Sequence, residues 1–166
     1  MTPVFSWLES TAFSVWMRES PSVFAFPAVL CLHAIGMAVV VGVQTGISLR
    51  ILGVAREIPL GELRRFVPLM WAGFWLNVAS GVALLIAYPT KAFTNPLFYL
   101  KLFFIALALR LVAIISGHLF DNPGEVAVPG RYDSRWLAGA ALACWAGAIT
   151  SGRFLAYTYS RLLADW

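Results

Sequence analysis

Charge is scarce in this chain. Only 12% of its 166 residues are Asp, Glu, Lys or Arg, against about a quarter in soluble domains. The eight carboxylates are Glu9, Glu19, Glu57, Glu62, Asp121, Glu125, Asp133 and Asp165, and all lie outside the centres of the apolar runs. Proton-coupled carriers usually need a carboxylate at depth, so this absence argues against a pump or transporter. Only two cysteines occur, Cys31 and Cys144, with no CxxC and no Cys/His metal spacing, which excludes a disulfide scaffold and a zinc module. There is no P-loop, no Gly-rich dinucleotide turn, no HExxH and no Ser/His/Asp set at a shared depth. Catalysis by this chain alone is therefore not expected. No run alternates strictly between apolar and polar, which argues against a membrane β-barrel. No repeat of 20–50 residues is found. The first 20 residues carry Glu9, Arg18 and Glu19 and lack the layout of a cleavable signal peptide.

What is abundant is apolar surface. Apolar residues make up 60% of the chain and the mean hydropathy is +0.79. A soluble fold of this size has too little interior to hide them. Four long apolar runs stand out, at residues 23–49, 66–88, 97–120 and 136–159. Each reaches the roughly 20 residues that carry a helix across a ~30 Å hydrocarbon core. The predicted fold is all-α, a single membrane domain built as a four-transmembrane-helix bundle. Residues 3–18 are too short to span but rich in Phe and Trp, and predict a short interfacial helix on the bilayer surface.

The net charge of +4 would raise nucleic acid as a partner in a soluble chain. Here the arginines fall between the apolar runs, so orientation explains them and no nucleic acid is expected. Arg50, Arg56, Arg64 and Arg65 occupy the first loop, Lys91 the second, and Arg131 and Arg135 the third. Loops one and three are then cytoplasmic. Both termini face outward, which in a bacterial inner membrane is the periplasm. Small residues recur every fourth position at Ala34, Ala38, Gly42 and Gly46, and again at Gly139, Ala143, Gly147 and Ser151. Such stripes let helices approach closely. They pack on each other or on a partner subunit or second copy.

Basic residues do enter the runs. Lys101, Arg110 and Arg153 each cost about 2.5–3.5 kcal/mol near the bilayer centre. Lys101 and Arg153 lie near the outer ends, where they can snorkel. Arg110 lies deeper and needs a compensating group: carbonyls, water, lipid phosphate, a partner's carboxylate, or a cofactor's acid groups. His33 and His118 differ in depth by roughly 15–20 Å at 1.5 Å per residue, too far to ligate one haem iron as a pair. His118 fits the inner helix end. His33 shares the outer third with Lys101, Arg153 and Tyr157. It is either a structural histidine bonded to a carbonyl, or a ligand: to haem iron as the candidate metal position, or to a quinone carbonyl. Asn77 and Gln44 are expected to bond between helices, and Trp71 and Trp75 either line a cofactor or face lipid.

Three stretches carry a resemblance: Leu32-His33-Ala34-Ile35-Gly36, Leu49-Arg50-Ile51-Leu52-Gly53 and Gly152-Arg153-Phe154-Leu155-Ala156-Tyr157, with Trp71-Ala72-Gly73, Ser80-Gly81, Pro89, Asn95-Pro96 and Lys101 between them. In this pattern the chain resembles an uncharacterised bacterial family of four-helix integral membrane proteins, known as a domain of unknown function. The resemblance implies the fold and sets His33, Arg50, Lys101, Arg153 and Tyr157 at motif positions. Arg110 departs from the family pattern, where a small polar residue such as Asn is common. By architecture alone the chain is also loosely similar to membrane cytochromes of the b561 kind, and fold does not settle function. Three functions follow as expectations. The first is a non-catalytic subunit or anchor of a larger membrane assembly. The second is a haem b- or quinone-binding electron-transfer protein using His33, with Lys101, Arg153, Tyr157 and Arg110 as candidate cofactor contacts. The third is a small transporter.

Overall fold

The computed structural model describes residues 3–120 and 134–162. The third predicted loop with Arg131, the side chain of His118, and Trp166 lie outside the described residues. Among those residues the chain is helical, with no strand. Two short helices, α1 (Pro3–Glu9) and α2 (Ala12–Glu19), precede the long α3 (Phe26–Leu52). A short α4 (Leu60–Leu63) and a 3-10 turn (Arg64–Phe66) lead into α5 (Val67–Ala87). The five-residue α6 (Pro89–Phe93) leads to α7 (Pro96–Phe120), and α8 (Ser134–Leu162) follows. Three helical stretches are long and apolar enough to cross a membrane: Phe26–Leu52, Gly61–Ala87 and Pro96–Gly117. The chain is thus compatible with a multi-pass membrane protein. Polar Thr150, Ser151 and Arg153 and three glycines make α8 the least apolar of the long helices.

Local chemistry sets the boundaries. Pro27 stands in the first turn of α3, where no backbone donor is lost. Gly53 ends α3 at φ 101°, with its N–H on the Arg50 carbonyl and the next N–H, of Val54, on Leu49. That is a Schellman cap, and the left-handed position suits glycine. Asn95 opens α7 by accepting from the Leu97 N–H at 3.0 Å, while its amide donates to Thr158 of α8 at 2.9 Å. The start of α7 is thereby tied to the end of α8.

The N-terminal segment predicted as one helix forms two, because Thr11 caps a new start. They are docked as well as exposed. Ser14 and Arg18 donate to the Ile86 and Ala87 carbonyls at 2.7 and 3.0 Å, satisfying last-turn acceptors of α5 that have no helical partner. Ser14 and Met17 are buried, while Trp7, Phe13 and Trp16 remain exposed.

The long helices pack as a chain of neighbours: α5 on α3, α3 on α8, and α8 on α7. The α3–α5 contact is the tightest. A Cβ on Gly36 would stand 2.8 Å from the Gly73 carbonyl, and one on Gly73 would stand 2.7 Å from Val39 Cγ1. The predicted stripes do not form this contact. Gly42, Gly46 and Gly139 have open space around their Cα atoms, and Gly147 meets the Phe104 ring of α7. The buried face of α8 runs through Ala138, Ala141, Cys144, Trp145, Ala148 and Ser151, so of the predicted stripe Ser151 is on it while Gly139 and Ala143 are not. Val40, Met70, Ala108, Val112, Cys144, Trp145 and Ala148 form the main core, with Ile47, Ile115 and Ala141 as a second cluster toward the C-terminal end of α3. Outside, Trp71, Trp75, Phe103 and Phe154 are exposed. In water each large apolar side chain left exposed forgoes about 1.5–3 kcal/mol; in lipid that penalty vanishes.

Candidate functional site

The order α5–α3–α8–α7 leaves α5 and α7 without packing of comparable extent, and a cleft opens between them. It encloses about 800 Å³. Its lining runs along α3 from Phe26 to Val40 and from Phe74 of α5 to Tyr88 just beyond its end. Fourteen helical rises along α3 make it roughly 20 Å long. Apolar side chains dominate the wall, from Leu30 and Phe98 near the start of α3 and α7 to Ile105 and Trp145 at the floor. Among the described residues no carboxylate lines it. The ionisable side chains are His33, Tyr88, Lys91 and Lys101.

One polar group of residues interrupts the apolar wall at mid-length. His33 of α3 places Nδ1 3.0 Å from the Asn77 carbonyl and 3.2 Å from Ser80 Oγ on α5. A carbonyl can only accept, so Nδ1 carries the proton in this contact. The Asn77 amide returns a bond to the His33 carbonyl at 2.8 Å. The Ser80 hydroxyl donates to Leu76 at 2.7 Å, leaving its oxygen to accept. The ring nitrogen on the other side, Nε2, is 3.5 Å from Lys101 Nζ on α7. With Nδ1 protonated, Nε2 accepts and Lys101 donates. The imidazole therefore bridges α5 to α7 across the cleft and aims the lysine.

Small residues make room for this bridge. A Cβ on Gly81 would stand 3.1 Å from His33 Cε1. A Cβ on Gly152 would meet the Lys101 stem at 3.5 Å. The buried indole Nε1 of Trp145, on the same wall, has no hydrogen-bond partner among the described residues. A buried donor without an acceptor costs about 1–3 kcal/mol.

The predicted outer cluster divides. His33 and Lys101 meet. Arg153 and Tyr157 are exposed and do not line the cleft, although their neighbours Gly152 and Leu155 do. Arg110 is exposed on α7 and also lies off the cleft wall. Trp71 and Trp75 turn outward, stacked edge-on against Phe74, which does line it. Ser80, Gly81 and the partnership of Asn77 with His33 were not evident from residue types. Their spacing at i, i+3 and i+4 on one face of α5 is the available signal. Among the described residues no three His, Cys, Asp or Glu side chains form a metal-binding group.

The cleft can accept a molecule that is mostly apolar and carries a hydrogen-bond acceptor to meet Lys101. The chain matches no protein-family model, no curated protein and no solved structure.

Proposed function

We propose that this is a four-helix membrane protein, with α8 as the fourth crossing, that binds a lipid-soluble ligand of the quinone class in the cleft between α5 and α7. The observation that carries this reading is the His33–Lys101 bridge inside an otherwise apolar cavity. A quinone offers carbonyl acceptors on a flat apolar ring. Lys101 supplies the donor, and the helical wall accommodates the ring and its tail. The volume lies within the roughly 300–1,000 Å³ of small-molecule sites, and the missing α5–α7 packing gives entry from the bilayer. Haem fits less well. An iron would need the Nε2 lone pair that faces Lys101, while Nδ1 is committed to Asn77. His33 is thus a positioning residue and Lys101 the ligand contact.

A short-chain benzoquinone titrated into detergent-purified protein tests this. The expected result is saturable quenching of tryptophan fluorescence at one equivalent, weakened in Lys101→Met. Quenching that never saturates, or that is the same in the variant, overturns it.

The exposed face of α3 favours a second, compatible reading as a subunit of a larger assembly. Ala34, Ala38, Gly42 and Gly46 lie on it without intrachain cover. Native electrophoresis of a mild-detergent extract should then show a complex, and a band of monomer size would contradict it. In this arrangement α1 and α2 lie at the outer membrane surface with Trp7, Phe13 and Trp16 toward lipid. The loop carrying Arg50 to Arg65 is cytoplasmic, and both termini face the periplasm of a bacterial inner membrane.

A further inference from the structure

Arg110 stands apart from the cleft and its bridge. It lies near the middle of α7, fourteen residues from Pro96 and ten from Phe120. At 1.5 Å per residue even the nearer end is roughly 15 Å away. The stretch around it, Pro96–Gly117, is apolar enough to cross a membrane. The arginine is exposed and, among the described residues, makes no hydrogen bond or ion pair. A permanent cation at this depth is costly unless an acceptor meets it. Snorkelling gives little relief. The Cα–Cβ bond tilts toward the helix N-terminus, so the side chain leaves α7 away from its nearer end.

The sequence offers no acid at that level. All eight carboxylates lie outside the four apolar runs. The nearest in sequence, Asp121, Glu125 and Asp133, follow the end of α7 at Phe120. A second copy brings the same set, so two copies joined here would bring two arginines together and no counterion. A lipid phosphate belongs to the headgroup level, beyond the hydrocarbon core. Arg110 is off the cleft wall as well, so a molecule bound there does not serve it.

The surroundings suit a helix. Phe103, Ala106, Leu107 and Ala113 are exposed beside Arg110, at the three-, four- and seven-residue spacings of one helix face. Ala106 and Ala113 are small, and small residues let a second helix approach closely. Ala106 also lines the cleft, so this face adjoins the α7 wall.

We propose that this face of α7 docks a transmembrane helix of a different protein carrying an Asp or Glu at mid-span. The proposal rests on α7 being a membrane crossing. Charge complementarity selects the partner. A carboxylate takes paired hydrogen bonds from one guanidinium, and in hydrocarbon no water competes for either group.

The probe is a leucine-based transmembrane peptide with one central Glu, compared with Gln and Leu versions. Labelled peptide and labelled full chain are reconstituted in phosphatidylcholine vesicles, and energy transfer reads association. The Glu peptide is expected to bind roughly fivefold or more tightly than the Leu peptide, with Gln between them. Arg110→Leu should abolish the difference, Arg110→Lys should keep most of it, and Arg153→Leu should leave it unchanged. Equal binding of the Glu and Leu peptides, or a preference that survives Arg110→Leu, overturns the proposal. A preference seen only after Asp121→Asn, Glu125→Gln and Asp133→Asn are combined also overturns it, because the counterion is then the chain's own. Self-association without peptide that Arg110→Leu abolishes contradicts it too, by assigning a second copy. If Arg110→Leu does not fold, the three peptides on the wild type decide. Release of the chain from vesicles by alkaline carbonate would instead remove the membrane crossing on which the proposal rests.

Discussion

The two halves of the bundle use similar helices for opposite ends. In the half near the C-terminal end of α3, Ile47, Ile115 and Ala141 close against each other, and the nearby polar pair, Gln44 and Ser48, is buried and bonds internally at 3.3 Å. In the half near the N-terminal end of α3, α5 and α7 separate, and His33 reaches from one toward the other with Asn77, Ser80 and Lys101 as partners. Gln44 and Ser48 satisfy each other along one helix, i to i+4. The His33 group bonds between helices and leaves a lysine facing a cavity. A fold that needed only stability would close the open half with apolar side chains, since buried polar groups are costly. The open half is where binding is expected.

The contrast can be broken most severely at its hinge. Gly36→Val forces a side chain into α5 backbone, and Gly73→Leu forces one into Val39, at the α3–α5 crossing. Overpacking of this kind costs about 1–3 kcal/mol, and more where backbone is the obstacle; thermal melting in detergent should show a large drop for both. Lys101→Met should leave melting nearly unchanged and weaken quinone binding. A hydrogen bond to a charged donor is worth about 1.5–3 kcal/mol, or roughly 10–100-fold in Kd. His33→Phe should weaken binding less, by about tenfold, because it loosens Lys101 without removing it. Gly81→Ala should act in the same direction by crowding the imidazole, and a Kd unchanged by this substitution would speak against the positioning role. Gly42→Ala, with open space around it, should change monomer melting by no more than about 0.5 kcal/mol. If it instead dissociates a native complex on electrophoresis, the outward face of α3 is an assembly surface.

Much of this contrast can be read in the sequence, and the unreadable part has a physical cause. Run length gives the long helices, and Pro27 and Asn95-Pro96 mark two of their starts within a few residues, while the end of α3 at Gly53 lies beyond the apolar run. Depth is also readable, because each residue advances 1.5 Å; this brings His33, Lys101, Arg153 and Tyr157 to one level. Azimuth is not readable. Successive residues turn by about 100°, so Gly152 meets the Lys101 stem while Arg153 points elsewhere. Only packing fixes that angle, and packing here depends on Gly36 and Gly73 rather than on the more regular stripe from Ala34 to Gly46. The cleft was illegible for the same reason. It is made by two helices that pack little on each other, and sparse packing leaves no mark on either sequence segment. Residues 3–18 resemble a surface helix by composition, but their docking through Ser14 and Arg18 depends on carbonyls of α5 that are distant in sequence.

The most direct test is the ligand content of protein purified from its native membrane in mild detergent. An organic extract of the wild type is expected to contain a quinone-class compound approaching one equivalent, and the extract of Lys101→Met, purified alongside, is expected to contain little. A wild-type extract without such a compound, or equal amounts from both proteins, would contradict the assignment of the α5–α7 cleft as the binding site.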